Sequence, residues 1–538
     1  MNHWLRRMLP RRAAAPVLAA LAGLGAMALV GWMARDTWFI QDHWDFIAAR
    51  EAGSLDDLFR PHAGHWQTYT VLLNRGLYAV FGMDYVPGYL LPRVLFPAAV
   101  AFAVWLAMRW RGADPWLAGS VYGVLLVSGV SGWHTSATIG NSLAHLAALA
   151  AAAIVARGDG SSRRDVALLA IVLTVAVSAS GLGIAVYLGT ALVVAVTGTI
   201  RRWYPALVVP AAAFTTWWLA YGRDGGLDPD TSLDTILGAP KVALDLLASS
   251  LASSAALSDG FGPVLAVVLA GFVVLLVGRL GRFEGVLLGA ALAYVPMVVL
   301  GRVAAGQANA DAWRYAYVLT MLLVPAIVPH VRLRAPNVRA LVVGGVLLLL
   351  VANLGQLRSN VDFWERRSTQ SRKVVEAAAT LIAAGEPALA EASPDPRRDG
   401  VLTVAGVRRL LSDGWEPAGG DASPRVQEEA RGNIRMEVVA GAGPRGPGPA
   451  TDSALDEEGC IAVEGDDPLR LTVAGGDVSV TGSGALVRLA WEDGYGPGIL
   501  DLDLGSDERT IRFADVPGAI VTVTAEEGAA RVCGLRTG

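Results

Sequence analysis

The stretch Trp38-Phe39-Ile40-Gln41-Asp42-His43-Trp44-Asp45-Phe46 places two carboxylates and an imidazole among four aromatic rings. Phe59-Arg60-Pro61-His62-Ala63-Gly64-His65-Trp66 follows, then Leu72-Leu73-Asn74-Arg75. A carboxylate within hydrogen-bond reach of a hydroxyl can act as a general base, and Asp42 is the first candidate. His62 and His65 are three apart and share one face if that stretch is helical. They could hold a phosphate or a metal, or serve as the base. Trp44, Asp45 and Trp66 suit a sugar pocket. The plain alternative is that these acids and histidines are solvated and that Trp38, Trp44 and Trp66 anchor an interface.

A second set of candidates is cationic. Arg93 sits inside an apolar run, where a charge is costly and marks a functional position. Arg302 and Arg314 occur in Gly301-Arg302 and in Ala310-Asp311-Ala312-Trp313-Arg314-Tyr315. A guanidinium makes bidentate, charge-assisted bonds to phosphate. Arginines at the ends of apolar runs also snorkel to the interface with no further role, and Arg93 could pair structurally with another helix. Trp133, His134 and Asn141 form a smaller cluster that suits either a sugar pocket or core packing.

The elements that must position these residues are apolar helices. The chain has 538 residues, 53% of them hydrophobic and 17% charged, with a mean hydropathy of +0.45. Soluble domains carry roughly 25% charged residues, so a large water-soluble enzyme is excluded. Disorder is excluded by the apolar content. Charge is uneven: residues 1–360 carry 26 basic and 18 acidic groups, and residues 361–538 carry 18 and 30. A basic apolar part followed by an acidic part indicates two solvents, bilayer and water.

Crossing hydrocarbon takes roughly 20 apolar residues. Spans are expected near 13–34, 87–108, 115–131, 137–156, 165–179, 182–199, 204–221, 261–279, 283–300, 314–330 and 337–354. The fifth and sixth form a tight helical hairpin around Ser178-Ala179-Ser180-Gly181. With eleven spans, every arginine cluster falls on one side: Arg6/Arg7/Arg11/Arg12, Arg109/Arg111, Arg157/Arg163/Arg164, Arg201/Arg202, Arg279/Arg282 and Arg332/Arg334/Arg339. The positive-inside rule then puts the N-terminus in the cytoplasm and the C-terminus outside a multi-pass plasma-membrane protein. The first span reads as an uncleaved anchor. Three long segments lie outside: 35–86, 222–260 (with Lys241 on an amphipathic stretch that could form a lid) and everything after 354. Glu284 falls inside and reads as structural.

After the last span the pattern changes. A helix is expected over Asn360–Ala384, stopped by Gly385 and Pro387. Pro/Gly-rich stretches follow, above all 441–449. From Cys460 onward, short alternating runs separated by Gly and Asp predict an antiparallel β-sandwich, jelly-roll-like. Cys460 and Cys533 lie in its first and last strands. A bridge between them would stabilise the fold by a few kcal/mol; two free buried thiols are the alternative. The expected domains are 1–355 (transmembrane), 356–450 (helical and irregular, outside) and 451–538 (sandwich, outside).

The Asp42-His43-Trp44 element just after the first span, and Pro61 to Trp66 beyond it, resemble the first outer loop of the GT-C superfamily of membrane glycosyltransferases, of bacterial and actinobacterial type. The Gly301-Arg302 and Trp313-Arg314-Tyr315 stretches resemble the elements preceding a late span in that superfamily. The resemblance covers roughly residues 10–355. It implies a GT-C-like helical fold, a polyprenyl-phosphate sugar as donor and Asp42 as general base. His43, His62, His65, Arg93, Arg302, Arg314 and Tyr315 would serve the donor phosphate. His43 stands where the family has a second Asp. Asp45 could substitute, and a divalent metal is left open as a cofactor. Placement of the last domain is similar to the carbohydrate-binding domains of some arabinofuranosyltransferases, with Trp491 and Tyr495 as stacking candidates; a spacer or docking role is the alternative.

The expected activity is therefore inverting glycosyl transfer to a cell-envelope glycan, lipid or protein acceptor on the outer face. Its rival is a transporter or flippase of a lipid-linked glycan with no chemistry, and a weaker third reading is a scaffold with a sensing domain. The sequence has no Walker loop, dinucleotide fingerprint, HExxH or paired CxxC. Membrane lipid is an expected partner, and nucleic acid is not.

Overall fold

In the computed structural model the described residues are 11–40, 42–51, 53–130, 137–223, 233–254, 262–303, 313–396, 401–418, 422–440 and, from 460, the strands named below. The helices are α1 (Arg11–Met33), α2 (Asp42–Ile47), α3 (Leu55–Phe59), α4 (Thr68–Phe81), α5 (Leu91–Trp110), α6 (Pro115–Val130), α7 (Ala137–Arg157), α8 (Arg163–Ala179), α9 (Gly181–Val196), α10 (Ile200–Trp217), α11 (Leu233–Ser254), α12 (Gly262–Leu276), α13 (Arg282–Val298), α14 (Trp313–Ile327), α15 (Pro336–Ala383), α16 (Val404–Ser412) and α17 (Pro424–Arg435). Five-residue π-turns, Val86–Leu90, Trp218–Gly222 and Val299–Val303, adjoin α5, α10 and α13.

Among the described residues, five helical stretches are long and apolar enough to cross a membrane: Ala15–Met33, Val86–Trp110, Thr138–Arg157, Arg282–Gly301 and Pro336–Ala383. Shorter apolar helices run over Pro115–Ser128, Gly181–Val196 and Tyr315–His330. Each of the eleven stretches expected as spans is mainly helical among its described residues, but length and hydropathy together select five. The hairpin shows why others are short. Ser180 alone separates α8 from α9, in extended backbone, and its Oγ accepts the Leu182 N–H at 3.1 Å. A Cβ on Gly183 would lie 1.8 Å from the Ala176 carbonyl oxygen, so only glycine lets the two helices turn so closely.

The chain forms two compact units. The first comprises residues 1–36 and 52–364; the second comprises 37–51 and 365–538. This differs from the expected three-way division: the acidic stretch around Asp42 belongs with the C-terminal residues rather than with the helices that flank it in sequence.

In the first unit α9 packs on α13, α8 on α10, and α5 on α6 and α7. The α9–α13 crossing is made by glycines. A Cβ on Gly189 would meet the Ala290 backbone nitrogen at 2.3 Å. Small residues of this kind bring helix backbones together where lipid gives no hydrophobic drive to associate. At the end of α5, Arg111 holds the fully buried Glu284 through Nε at 2.8 Å and Nη2 at 2.7 Å. The other carboxylate oxygen caps α13 by accepting the Gly281 N–H at 3.0 Å. Segment 222–260, where a lid was expected, contributes α11, which packs against α12 and α14 and buries Leu246 and Ala252.

The last expected span and the helix expected over Asn360–Ala384 are one 48-residue helix, α15, which Gly385 (φ +83°) follows. Gly355 does not break it, because glycine costs a helix only about 1 kcal/mol. Residues 365–383 of α15 count with the second unit. There α16, N-capped by Thr403, buries Val404, Val407 and Leu410. Glu386 receives Arg431 at 3.0 Å and Arg435 at 2.7 Å.

Among the described residues, the second unit also holds nine strands: β1 (Met436–Ala440), β2 (Cys460–Glu464), β3 (Leu469–Val473), β4 (Gly476–Gly482), β5 (Leu486–Glu492), β6 (Gly498–Asp503), β7 (Arg509–Phe513), β8 (Ala519–Glu527) and β9 (Ala529–Cys533). They form two antiparallel sheets, ordered β1-β7-β4-β9-β2 and β3-β8-β5-β6. β1, at an edge, comes from a segment expected to be helical or irregular. The register sets Cys460 directly opposite Cys533.

Candidate functional site

Segment 37–51 is built as an aromatic anchor followed by an acidic turn. Trp38, Phe39 and Trp44 pack edge-to-face or tilted, with centroids 5.2–5.6 Å apart. Trp415 adds a fourth ring 6.4 Å from Trp38, and the Arg372 guanidinium lies 5.6 Å over it. The Trp38 N–H donates to Ser368 Oγ at 3.1 Å, and Arg409 Nη1 donates to the Ala48 carbonyl at 3.0 Å. These contacts tie the segment to α15 and α16.

On that anchor, Asp42 begins α2 and is half-buried. His43 is buried, and its Nδ1 accepts the Ile40 N–H at 3.2 Å, which puts the proton of a neutral ring on Nε2. Trp44 is fully buried, so its faces meet Trp38 and Phe39 rather than an open sugar pocket. Asp45 receives Arg50 through Nε at 3.1 Å and Nη2 at 2.8 Å. Arg50 is itself buried. Asp45 therefore has a structural partner within its own loop, which argues against its standing in for a missing second acid.

The remaining candidates of the helical part lie in the first unit; Trp491 is in β5 of the second, and Tyr495 lies outside the described residues. His62 and His65 are not on a helix. They face each other across a two-residue turn, with N–H···O bonds of 3.0 and 2.9 Å in both directions. Ala63 and Gly64 between them have φ of +48° and +77°, the conformation of a type I′ hairpin turn. A paired position puts both side chains on one face of the ladder, so the two imidazoles are neighbours by strand pairing rather than by helical spacing. His62 is buried. A Cβ on Gly181 would lie 2.8 Å from the His65 ring, so the start of α9 is shaped around it. Trp66 stacks flat on Trp217, centroids 5.3 Å apart and 3° from parallel, and donates to Thr68 Oγ1 at 2.6 Å.

Arg93, in α5, is fully buried. Its Nη2 donates to Asn74 Oδ1 at 3.1 Å and Nη1 to the Tyr89 carbonyl at 3.4 Å, with the guanidinium 5.6 Å over the Tyr89 ring. Asn141, in α7, is half-buried, and its carbonyl receives His145 Nδ1 at 2.7 Å. Tyr315 is buried in the first turn of α14. Arg302 falls in the π-turn after α13 and Arg314 in the first turn of α14; their side chains lie outside the described residues, as do Trp133 and His134.

No family model, curated protein or solved structure matches this chain. The site must therefore be read from its own residues.

Asn74, the partner of Arg93, belongs to a buried polar group that sequence reasoning did not single out. Gln67, Thr70 and Asn74 are all at most 4% exposed and follow one another at helical spacings of three and four. The Asn74 side-chain amide donates to the Thr70 carbonyl at 2.7 Å. Gln67 Oε1 and Thr70 Oγ1 have no hydrogen-bond partner among the described residues. Buried polar atoms normally find partners, so this stripe, which reaches Arg93 through Asn74, suits a polar group brought in by a ligand. The signal was present as polar residues recurring at helical spacing from the N-cap of α4. Among the described residues, no group of three or more His, Cys, Asp or Glu could hold a metal ion.

Proposed function

We propose that this chain is an integral-membrane inverting glycosyltransferase of GT-C type. The donor is a polyprenyl-phosphate sugar, and the acceptor is a cell-envelope glycan, lipid or protein. The observation that carries this reading is Arg93: a guanidinium fully buried in a helix long enough to span a membrane, hydrogen-bonded to the neutral Asn74 and to a carbonyl. A fixed cation there stabilises phosphate charge at low cost in reorganisation. The Asp42-His43-Trp44 element beyond the first apolar helix supplies the base.

In this reading the eleven helical stretches span the plasma membrane, the arginine clusters lie in the cytoplasm and the second unit lies outside. Its two sheets pack as a sandwich, with Cys460 and Cys533 bridged. The roles follow from side-chain chemistry. Asp42 takes the proton of the acceptor hydroxyl as its oxygen attacks the anomeric carbon. The bond from that carbon to the phosphate oxygen breaks with inversion, and polyprenyl phosphate leaves with the electron pair. Arg93, His62 and His65, with Arg302 and Arg314, neutralise the leaving phosphate.

The test is release of polyprenyl phosphate by purified protein given a panel of polyprenyl-phosphate sugars and envelope acceptors. Wild type should release it; Asp42→Asn should fold and bind donor yet release none. Full activity in Asp42→Asn would remove the base assignment. Lipid scrambling in liposomes without release from any donor would favour the flippase reading.

A further inference from the structure

The loop between α7 and α8 and the start of α10 enclose a groove of about 590 Å³ that the proposed chemistry does not use. Its walls are apolar, formed by Ala170 and Ile171 of α8 and by Pro205 and Val209 of α10. Ile171 and Val209 are 60% and 52% exposed, as expected of side chains that meet lipid. Its mouth is cationic: Arg163 and Arg202 line it, and no acidic residue does.

Two details show how the mouth is set. Arg202 is ion-paired to Asp159, which also accepts the Ser161 N–H at 3.0 Å. Hydrogen bonds from Ser161, and then the Arg202 charge, hold the Asp159 carboxyl below the usual carboxylate range, so it stays anionic and keeps Arg202 in place. Gly160, at φ +81°, lets the loop lie against α10, since a Cβ there would fall 2.8 Å from the Arg202 Cβ. Arg163, by contrast, is exposed and has no acidic partner among the described residues. Arg164 and Arg201, next to Arg163 and Arg202 in sequence, are exposed as well.

We infer that this groove is a binding site for an anionic phospholipid. The phosphate headgroup meets Arg163 and Arg202, and an acyl chain lies along the apolar wall between α8 and α10. A basic pocket between helices at the membrane surface is the arrangement that recognises acidic headgroups. The site is cytoplasmic in the topology proposed above; the binding itself does not depend on glycosyl transfer.

The experiment is native mass spectrometry of the full chain in detergent, titrated with phosphatidylglycerol or phosphatidylcholine. Wild type should retain phosphatidylglycerol in preference to phosphatidylcholine. Arg163→Gln removes an exposed side chain without disturbing the core. It should weaken phosphatidylglycerol about five-fold, the factor equivalent to about 1 kcal/mol per arginine near a membrane surface, and leave phosphatidylcholine unchanged. Ala170→Trp fills the wall with both arginines intact and should weaken retention of either lipid. Glycerol 3-phosphate, a headgroup without chains, should not displace the lipid. Equal retention of the two lipids by wild type would overturn the proposal. So would an unaffected Arg163→Gln, an unaffected Ala170→Trp or displacement by glycerol 3-phosphate. Loss of glycosyl transfer in Asp42→Asn moves none of these readouts, so the two proposals fail separately.

Discussion

Arg93 Nη2 donates to Asn74 Oδ1 at 3.1 Å, with both residues entirely shielded from solvent. One lies in the longer apolar run, the other on a neighbouring short helix, and the bond fixes where a buried positive charge points. A hydrogen bond to a charged group contributes about 1.5–3 kcal/mol in soluble proteins, and interhelical bonds in membranes average less. Asn74→Ala should therefore lower stability by about 1–3 kcal/mol, measured by thermal unfolding in detergent. Arg93→Met keeps the length and removes the charge. It also removes the bond to Asn74, so its stability should fall by about as much as that of Asn74→Ala. If Arg93 serves the donor phosphate, Arg93→Met should lose glycosyl transfer even at temperatures well below its own unfolding transition, where it is still fully folded. Retained transfer would make it a structural residue.

Glu284 and Arg111 should respond unequally. Glu284 is fully buried, whereas the Arg111 side chain is 31% exposed and can reach water. Removing one partner of a buried pair costs about 3–5 kcal/mol because the other charge is left uncompensated. Arg111→Met leaves the wholly buried carboxylate with the His330 imidazole, 3.4 Å away, and the Gly281 N–H, and should lie at the upper end. Glu284→Gln strands only a partly solvated arginine and can still accept the Gly281 N–H, so it should lie below that range. Unfolding measurements on the two variants would test the order; the reverse order would mean that Glu284 is solvated.

Glycines offer a paired test of helix packing. Gly189→Val places carbon against the Ala290 backbone nitrogen, where even a Cβ would approach to 2.3 Å. Backbone cannot yield as a flexible side chain can, so a loss of about 3 kcal/mol or failure to fold is expected. A Cβ on Gly76, within α4, would meet nothing within 4 Å. Gly76→Ala should therefore stabilise by about 0.5–1 kcal/mol. Thermal shifts of opposite sign are the readout.

The cross-strand register of Cys460 and Cys533 predicts a disulfide. Directly opposed residues in antiparallel strands have Cα atoms about 4.5–5.5 Å apart, inside the range that a disulfide spans. Intact protein should resist thiol alkylation until it is reduced and denatured, then gain two labels by mass. Closing a loop of this length corresponds to about 4 kcal/mol in the chain-entropy model, so reduction should lower the unfolding temperature of the strand-bearing region. Two labels without reduction would show free thiols.

What the sequence determined by itself is what depends on composition and short-range spacing. Apolar runs near 20 residues specify helices whichever neighbours they find, and alternation after Cys460 specifies strands, because the solvent of each face is written into each segment. Arg93 stood out for the same reason, as a charge in an apolar run. Tertiary structure decided the rest. Asp45 looked like a spare acid until Arg50 was found holding it, and Trp44 like a sugar platform until its faces were found covered by Trp38 and Phe39. His62 and His65 share a face through a turn that needs positive φ at two consecutive positions, not through helical periodicity. Segment 37–51 grouping with residues 365–538 is a contact across more than 300 positions, and the groove beside Arg163 needs two helices and a loop. The last two depend on which surfaces meet. That is a property of packing between distant segments, and no local pattern of residues encodes it.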